Sequence, residues 1–231
     1  MATDIALVIG AYLFGSLPVL FWIGKANGLD IKQEYDAHSA LWKKVGRKAG
    51  LAGVLWDIFK GSIPPLIAWG LDLSSITIGL SGLAVMSGQM WPVFLKLKHG
   101  EMGNTTGIGA SFAIAPVAMS FAAIPIATGA LTRVIKGKGK PVPDTVDEDN
   151  SRLSGVSDSM PLGMLAGFIV LPIASWLSNK DMAFVWTFVA LLTLIILRRL
   201  TANLIPEIKG ELKTSLASVL WNRFLYDRSY Y

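Results

Sequence analysis

Six long, predominantly apolar stretches run through this 231-residue chain, and they limit its fold more than any other feature. An apolar run near 18 residues or more, wound as a helix, reaches across the ~30 Å hydrocarbon core of a bilayer. The stretches are Ile5–Gly24, Gly50–Leu71, Ile76–Leu97, Thr105–Leu131, Met160–Leu177 and Met182–Leu197. Asp57 and Lys60 interrupt the second, and Pro116 breaks the fourth. Composition agrees: 52% of residues are hydrophobic, 16% are charged, and the mean hydropathy is +0.51. Soluble domains carry about 25% charged residues. The first stretch lacks a basic leader and a small-residue cleavage site, so a signal peptide is not expected.

Charge placement counts the crossings. If Thr105–Leu131 crosses once, the 21 Lys and Arg divide almost evenly between the two faces. If it enters and returns at Pro116, 20 of them share one face and Lys180 alone is opposite. Lys and Arg collect on the cytoplasmic side, so the second arrangement is favoured. The expectation is an all-α membrane protein, a polytopic bundle of seven membrane helices. The fourth and fifth are short, joined near Pro116 and shielded by neighbours. The N-terminus is placed outside and the C-terminus in the cytoplasm.

Residues 1–231 read as one membrane domain. Within it, 136–158 is Gly/Pro-rich, basic then acidic, and reads as a mobile cytoplasmic insertion. Across 212–225, Leu212, Leu216, Val219, Leu220 and Phe224 fall at helical spacing, which predicts an amphipathic helix on the membrane surface.

With no cysteine there is no disulfide, thiolate nucleophile or Cys-held metal. Two histidines, His38 and His99, do not suggest a His-rich metal site, and no metal or cofactor is expected. The formal charge of +5 is explained by membrane orientation, so nucleic acid is not an expected partner. Gly-x-Ser-x-Gly, the P-loop and the dinucleotide Gly-x-Gly-x-x-Gly patterns all fail, as does a His-x4-Asp pair.

Two places hold polar groups where lipid-facing helices do not want them. Asp57 and Lys60 are three residues apart and share a helix face. A lone charge at the bilayer centre costs about 2.5–3.5 kcal/mol on insertion scales, and pairing lowers that. The pair is either a self-satisfied ion pair or a cation facing a polar cavity; the residues alone leave both open. The second place is the Gly/Thr-rich turn between Ser87 and Gly109, where Lys96 and Lys98 precede a new helix. Backbone N–H groups at a helix start beside a lysine make an anion site. An ordinary loop with inward-facing lysines is the simpler reading of that turn.

In order, these blocks resemble the bacterial integral-membrane glycerol-3-phosphate acyltransferases that use acyl phosphate as donor. The chain carries Tyr12-Leu-Phe-Gly-Ser-Leu-Pro18, Ile23-Gly-Lys25 and Gly28-Leu-Asp-Ile-Lys32. Gly46-Arg-Lys-Ala-Gly50 and Asp57-Ile-Phe-Lys-Gly61 resemble the family's K-A-G and D-x-x-K-G. Gly88-Gln-Met-Trp-Pro-Val-Phe94 stands for its G-H-x-F-P-V-F. Lys98-His-Gly-Glu-Met-Gly-Asn-Thr105 stands for its K-G-G-K-G-V-A-T phosphate loop. Thr132-Arg-Val134 begins a T-R-Y-V-S element, and Leu200-Thr-Ala-Asn-Leu204 with Gly210-Glu211 stands for H-R-E-N-I and G-E. The chain departs from the family at several positions. Lys43 replaces an Arg, Gln89 and Leu200 replace His, the Ser-Gly-Asn run is missing, and Glu101 falls at or beside the phosphate loop's second Lys.

The resemblance implies a fold of seven membrane helices in the inner membrane of a bacterial cell, and transfer of a fatty acyl group from acyl phosphate to glycerol 3-phosphate, giving lysophosphatidic acid. It implies catalytic roles for Ser39, Lys43, Lys60, Lys98 and Asn203. Ser16, His38, Asp57, Gly61, Gly100, Thr105, Arg133 and Glu211 would bind substrate. The expected partners are the two substrates and membrane lipids, with the protein a monomer. The alternative is a non-catalytic or re-specialised relative that binds phosphate-bearing lipid precursors. A small transporter fits less well, because no inverted hydropathy repeat is found.

Overall fold

A computed structural model describes residues 1–31, 37–137, 159–178, 181–202 and 215–227. They are helical, with no strand among them. The helices are α1 (Ala2–Gly15), α2 (Val19–Ala26), α3 (Ala37–Ala40), α4 (Arg47–Gly70), α5 (Ser75–Met90), α6 (Asn104–Ile114), α7 (Pro116–Gly137), α8 (Ser159–Leu177), α9 (Met182–Thr201) and α10 (Leu216–Tyr226). A π-helical turn, Leu41–Val45, joins α3 to α4.

Among the described residues, six segments are long and apolar enough to cross a membrane: Ala2–Ala26, Arg47–Gly70, Ser75–Leu95, Pro116–Ile135, Ser159–Leu177 and Met182–Thr201. Of the pair expected to be short, α6 is, with 11 residues, and α7 is not, with 22. Eleven residues rise only about 16 Å, half a bilayer core. The break falls where expected. Ala115 is extended (φ −148°, ψ 81°), as the residue before a proline is pushed to be, and Pro116 opens the next helix. The first segment remains one candidate span, Ala2–Ala26, but is built of two helices, α1 and α2. Pro18 has no N–H to give, and the chain bends between Ser16 and Pro18.

Contacts along the helices fix their directions. Asp4 near the start of α1 accepts a hydrogen bond from Thr77 of α5, while Tyr12 reaches the Trp91 carbonyl beyond the other end of α5. On α9, Thr187 packs on Gly79 and Arg198 reaches the Gly100 carbonyl. α1, α5 and α9 therefore run one way and α4 the other. α6 follows α4, because Ser62 bonds to the Gly109 carbonyl and Trp69 to that of Ala113. α7 turns back and pairs along its length with α8. One end of the bundle thus holds Asp4, Asp72 and Asp181 and, among the described residues, no Lys or Arg. The opposite end holds Lys25, Lys43, Lys44, Arg47, Lys48, Lys96, Lys98, Arg133, Arg198, Arg199 and Arg223.

Helices pack closely through small residues, as membrane helices commonly do. A Cβ at Gly61 would collide with the Thr106 carbonyl, and one at Gly109 with that of Ile58, so α4 and α6 touch backbone to backbone. α10 begins later than the 212–225 expectation, with its N-cap at Ser215. Residues 138–158 of the expected insertion lie outside the described residues.

Candidate functional site

The polar residues inside α4 do not stand alone. Lys60 Nζ is 3.2 Å from Asp57 Oδ1, one turn away, and both side chains are essentially buried. The other carboxylate oxygen, Oδ2, faces two more groups. His38 Nε2 on α3 is 3.1 Å from it, and Gln89 at the end of α5 donates its Nε2–H at 2.6 Å. Glu101, in the loop before α6, closes the cluster. Its Oε2 is 3.5 Å from His38 Nε2 and accepts from Gln89 Nε2 at 3.2 Å. The Thr106 hydroxyl on α6 donates to Gln89 Oε1. Gln89 is the hub: its one buried carboxamide ties two carboxylates and a hydroxyl from three elements.

The loop that carries Glu101 is under local strain. Lys96, Leu97 and His99 all have left-handed φ (55°, 61° and 54°), which L residues seldom adopt. It is held from both sides. The Tyr12 hydroxyl donates to the Trp91 carbonyl at 2.7 Å, and Arg198 donates to the carbonyls of Gly100 and Glu101 while lying over the Trp91 ring. Gly100 is needed there, because a Cβ would strike the Met90 carbonyl.

A narrow cleft, with room for about one water molecule, opens beside the cluster, lined in part by Ser16, Lys60, Gln89, His99 and Glu101. Ser16 is buried, and its hydroxyl donates to the Tyr12 carbonyl. On the outer side of α4, Ala52, Leu55, Trp56, Phe59 and Ser62 form a shallow, mostly apolar groove with Phe112 of α6.

The structure brings Ser16, His38, Asp57 and Lys60 together at or beside this cleft. Gly61 brings α6 against α4, and Gly100 shapes the loop. Thr105 is half-buried next to Thr106. Lys43, Lys98 and Arg133 are exposed and do not line the cleft. Asn203, Glu211 and the side chain of Ser39 lie outside the described residues. Three participants carried weak sequence signals. Gln89 and Glu101 stood out only as departures from a motif. Arg198 looked like one more flanking positive charge.

A family model for glycerol-3-phosphate acyltransferase matches residues 5–139, more than half of the chain and all of the cluster just described. The chain belongs to that family. Curated relatives agree. A glycerol-3-phosphate acyltransferase of Geotalea daltonii is 36% identical over 122 residues, 52% of this chain. The chain spans only 62% of the length of that relative. Glycerol-3-phosphate acyltransferase 4 of Dehalococcoides mccartyi is 28% identical over 232 residues, covering 96% of this chain and 88% of its own. The fold matches a crystal structure of PlsY, an integral membrane glycerol 3-phosphate acyltransferase, in its lysophosphatidic acid form. The TM-score is 0.65 at 24% identity, over 90% of this chain and 93% of that one. The family fold is therefore present over nearly the whole chain, in a multi-pass membrane protein.

Set against the family motifs, the cluster gains acid and loses base. Lys60 and Asp57 match the D-x-x-K-G pattern of the resemblance, whereas Gln89 falls where that pattern has a His and Glu101 falls at or beside its second phosphate-loop Lys. Two carboxylates now face one ammonium and one imidazole. An anion entering the cleft meets Lys60 inside and His99 at the lining.

Proposed function

We propose that the protein transfers a fatty acyl group from acyl phosphate to the hydroxyl of glycerol 3-phosphate, giving lysophosphatidic acid for phospholipid synthesis. One observation carries this reading: a family-matched buried lysine, Lys60, held by Asp57, opens into a cleft at the basic end of a membrane bundle. In the reaction the acceptor oxygen bonds to the acyl carbon and the carbon–oxygen bond to phosphate breaks. The hydroxyl proton leaves with the phosphate, so no protein base is required. The chain then has to position two anionic substrates and stabilise the oxyanion between them. Lys60 does this from inside the cleft. Ser16 and His38 bind there with it, Gly61, Gly100 and Thr105 shape the cleft, and Lys43, Lys98 and Arg133 attract the phosphates to this end. Ser39, Asn203 and Glu211 complete the proposed set.

The apolar groove on α4 and α6 suits the acyl tail, because it begins one helical face away from Lys60 and opens to lipid. The basic end lies in the cytoplasm and the Asp4, Asp72 and Asp181 end outside, following the bias of Lys and Arg. α10 rests on the inner leaflet with Trp221 exposed toward it. The protein works as a monomer in the bacterial inner membrane.

The test is direct. Purified protein in detergent receives acyl phosphate and glycerol 3-phosphate, and lysophosphatidic acid and released phosphate are measured together. Stoichiometric formation of both, absent in Lys60→Ala, is expected. Binding of acyl phosphate with no product would instead favour a re-specialised relative, which the Gln89 and Glu101 substitutions favour as the second reading.

A further inference from the structure

We propose that His38, Asp57 and Glu101 form a binding site for a divalent cation of the Mn²⁺ class. Three elements distant in sequence, α3, α4 and the loop before α6, each deliver one ligand atom, and these atoms all lie within 4.8 Å of one another. One imidazole nitrogen with two carboxylate oxygens suits a metal that takes both nitrogen and oxygen, such as Mn²⁺, better than thiolate-seeking ions or the oxygen-demanding Mg²⁺. Asp57 divides its duties. Oδ1 pairs with Lys60, and Oδ2 faces the cluster.

Gln89 stands against the same two carboxylates, donating to both and accepting from Thr106. It is 5% exposed, and its carboxamide is aimed between the two carboxylates. Without a cation it must present N–H to both. Rotated half a turn, it presents its carbonyl oxygen to the same point as a fourth ligand. The amide N–H then faces the Thr106 hydroxyl, which accepts as readily as it donates. No backbone movement is needed, so the shell has both a protein-only state and a cation-bound state. The cation also answers the charge balance. Glu101 falls at or beside the place of the family loop's second Lys, and a divalent ion beside it brings positive charge back. That last consequence rests on the acyltransferase reading; the binding itself does not.

The rival occupant is a proton, with His38 as an imidazolium bridging Asp57 and Glu101. Purified full-length protein, stripped with chelator and held in detergent without either substrate, is titrated with Mn²⁺ while free Mn²⁺ is followed by electron paramagnetic resonance. A single saturable equivalent is expected, with nitrogen coupling from one imidazole in the spin-echo spectrum. His38→Ala removes that coupling. His38→Ala and Glu101→Gln each weaken binding by about tenfold or more, and Glu101→Lys abolishes it. Asp72→Asn at the far end changes nothing. Each variant's melting temperature without Mn²⁺ reports folding separately, and the nitrogen coupling identifies the ligand whatever the affinity. Absence of saturable binding, or equal binding in wild type and Glu101→Lys, overturns the proposal. Because no substrate is present, a failed acyl-transfer assay leaves this result untouched, and the reverse holds too.

Discussion

Two groups of buried charge lie toward the basic end of the bundle and are satisfied in opposite ways. In the cluster under α4, charge meets charge: Lys60 and His38 face Asp57 and Glu101 across 3.1–3.5 Å, beside a narrow cleft. Near α10 two arginines, 1% and 3% exposed, meet backbone carbonyls. Arg199 donates to Phe224, Leu225 and Pro161, and Arg223 to Arg199, Leu200 and Ala202. The first arrangement leaves side-chain groups that a substrate or ion can compete for. The second uses the guanidinium fork to close helix ends, donating to backbone carbonyls. Burial of charge alone therefore does not mark a site; the nature of its partners does.

The largest effect belongs to Lys60→Met. It leaves Asp57 buried without its ammonium, which costs about 3–5 kcal/mol when one partner of a buried pair is removed. Product formation falls below detection, and the melting temperature drops. The double variant Asp57→Asn with Lys60→Met sharpens the contrast, because it recovers most of the melting temperature and none of the activity. If the double variant makes lysophosphatidic acid, the ion pair is scaffolding like the arginines.

Arg199→Met tests the other side. Hydrogen bonds from a charged donor contribute about 1.5–3 kcal/mol each and are not additive, so a loss of about 3 kcal/mol is expected in all. The loss should appear as earlier proteolytic cutting around α10, with acyl transfer retained by the protein that stays folded. Loss of activity in step with cutting, at matched folded fraction, would break the distinction between clasp and site.

The same contrast explains what the sequence could reveal. Asp57 and Lys60 were legible because charges inside an apolar run have few bland explanations, and Pro116 located the α6–α7 reversal because proline constrains its predecessor. The break at Pro18 was hidden by uninterrupted apolarity on both sides. Gln89 and Glu101 look like surface-compatible polar residues until α5 and the loop fold against α4; their role exists only in the convergence. Arg198, Arg199 and Arg223 all counted alike as flanking positive charge. The structure separates them by acceptor: Arg198 takes the loop carbonyls beside the cleft, the other two take the carbonyls around α10.

Gly61→Ala gives a smaller effect that reaches the cluster through backbone. The added methyl meets the Thr106 carbonyl, and relieving the overlap pushes α6 from α4 at about 1–3 kcal/mol. Thr106 carries the hydroxyl that holds Gln89, so the displacement also loosens the carboxamide hub. A lower melting temperature with a raised KM for glycerol 3-phosphate is expected, whereas the same change at Gly10, inside α1 and meeting nothing, leaves KM unchanged and does not lower the melting temperature.

The smallest effect is at the opposite end, where charge is exposed. Asp181 caps α9 by accepting from the Ala183 N–H at 3.0 Å, and this bond, helped by Ser75, holds its carboxyl below the ordinary carboxylate pKa. A group depressed on folding stabilises fully above its unfolded pKa, about 3.9, and loses that contribution as pH falls through the folded value. Asp181→Asn keeps a capping oxygen but does not titrate. Its melting temperature at neutral pH should therefore stay close to wild type, while the acid side of the melting profile flattens slightly. A large change at neutral pH would mean that this exposed carboxylate matters as much as the buried ones, and burial would then lose its place in the comparison.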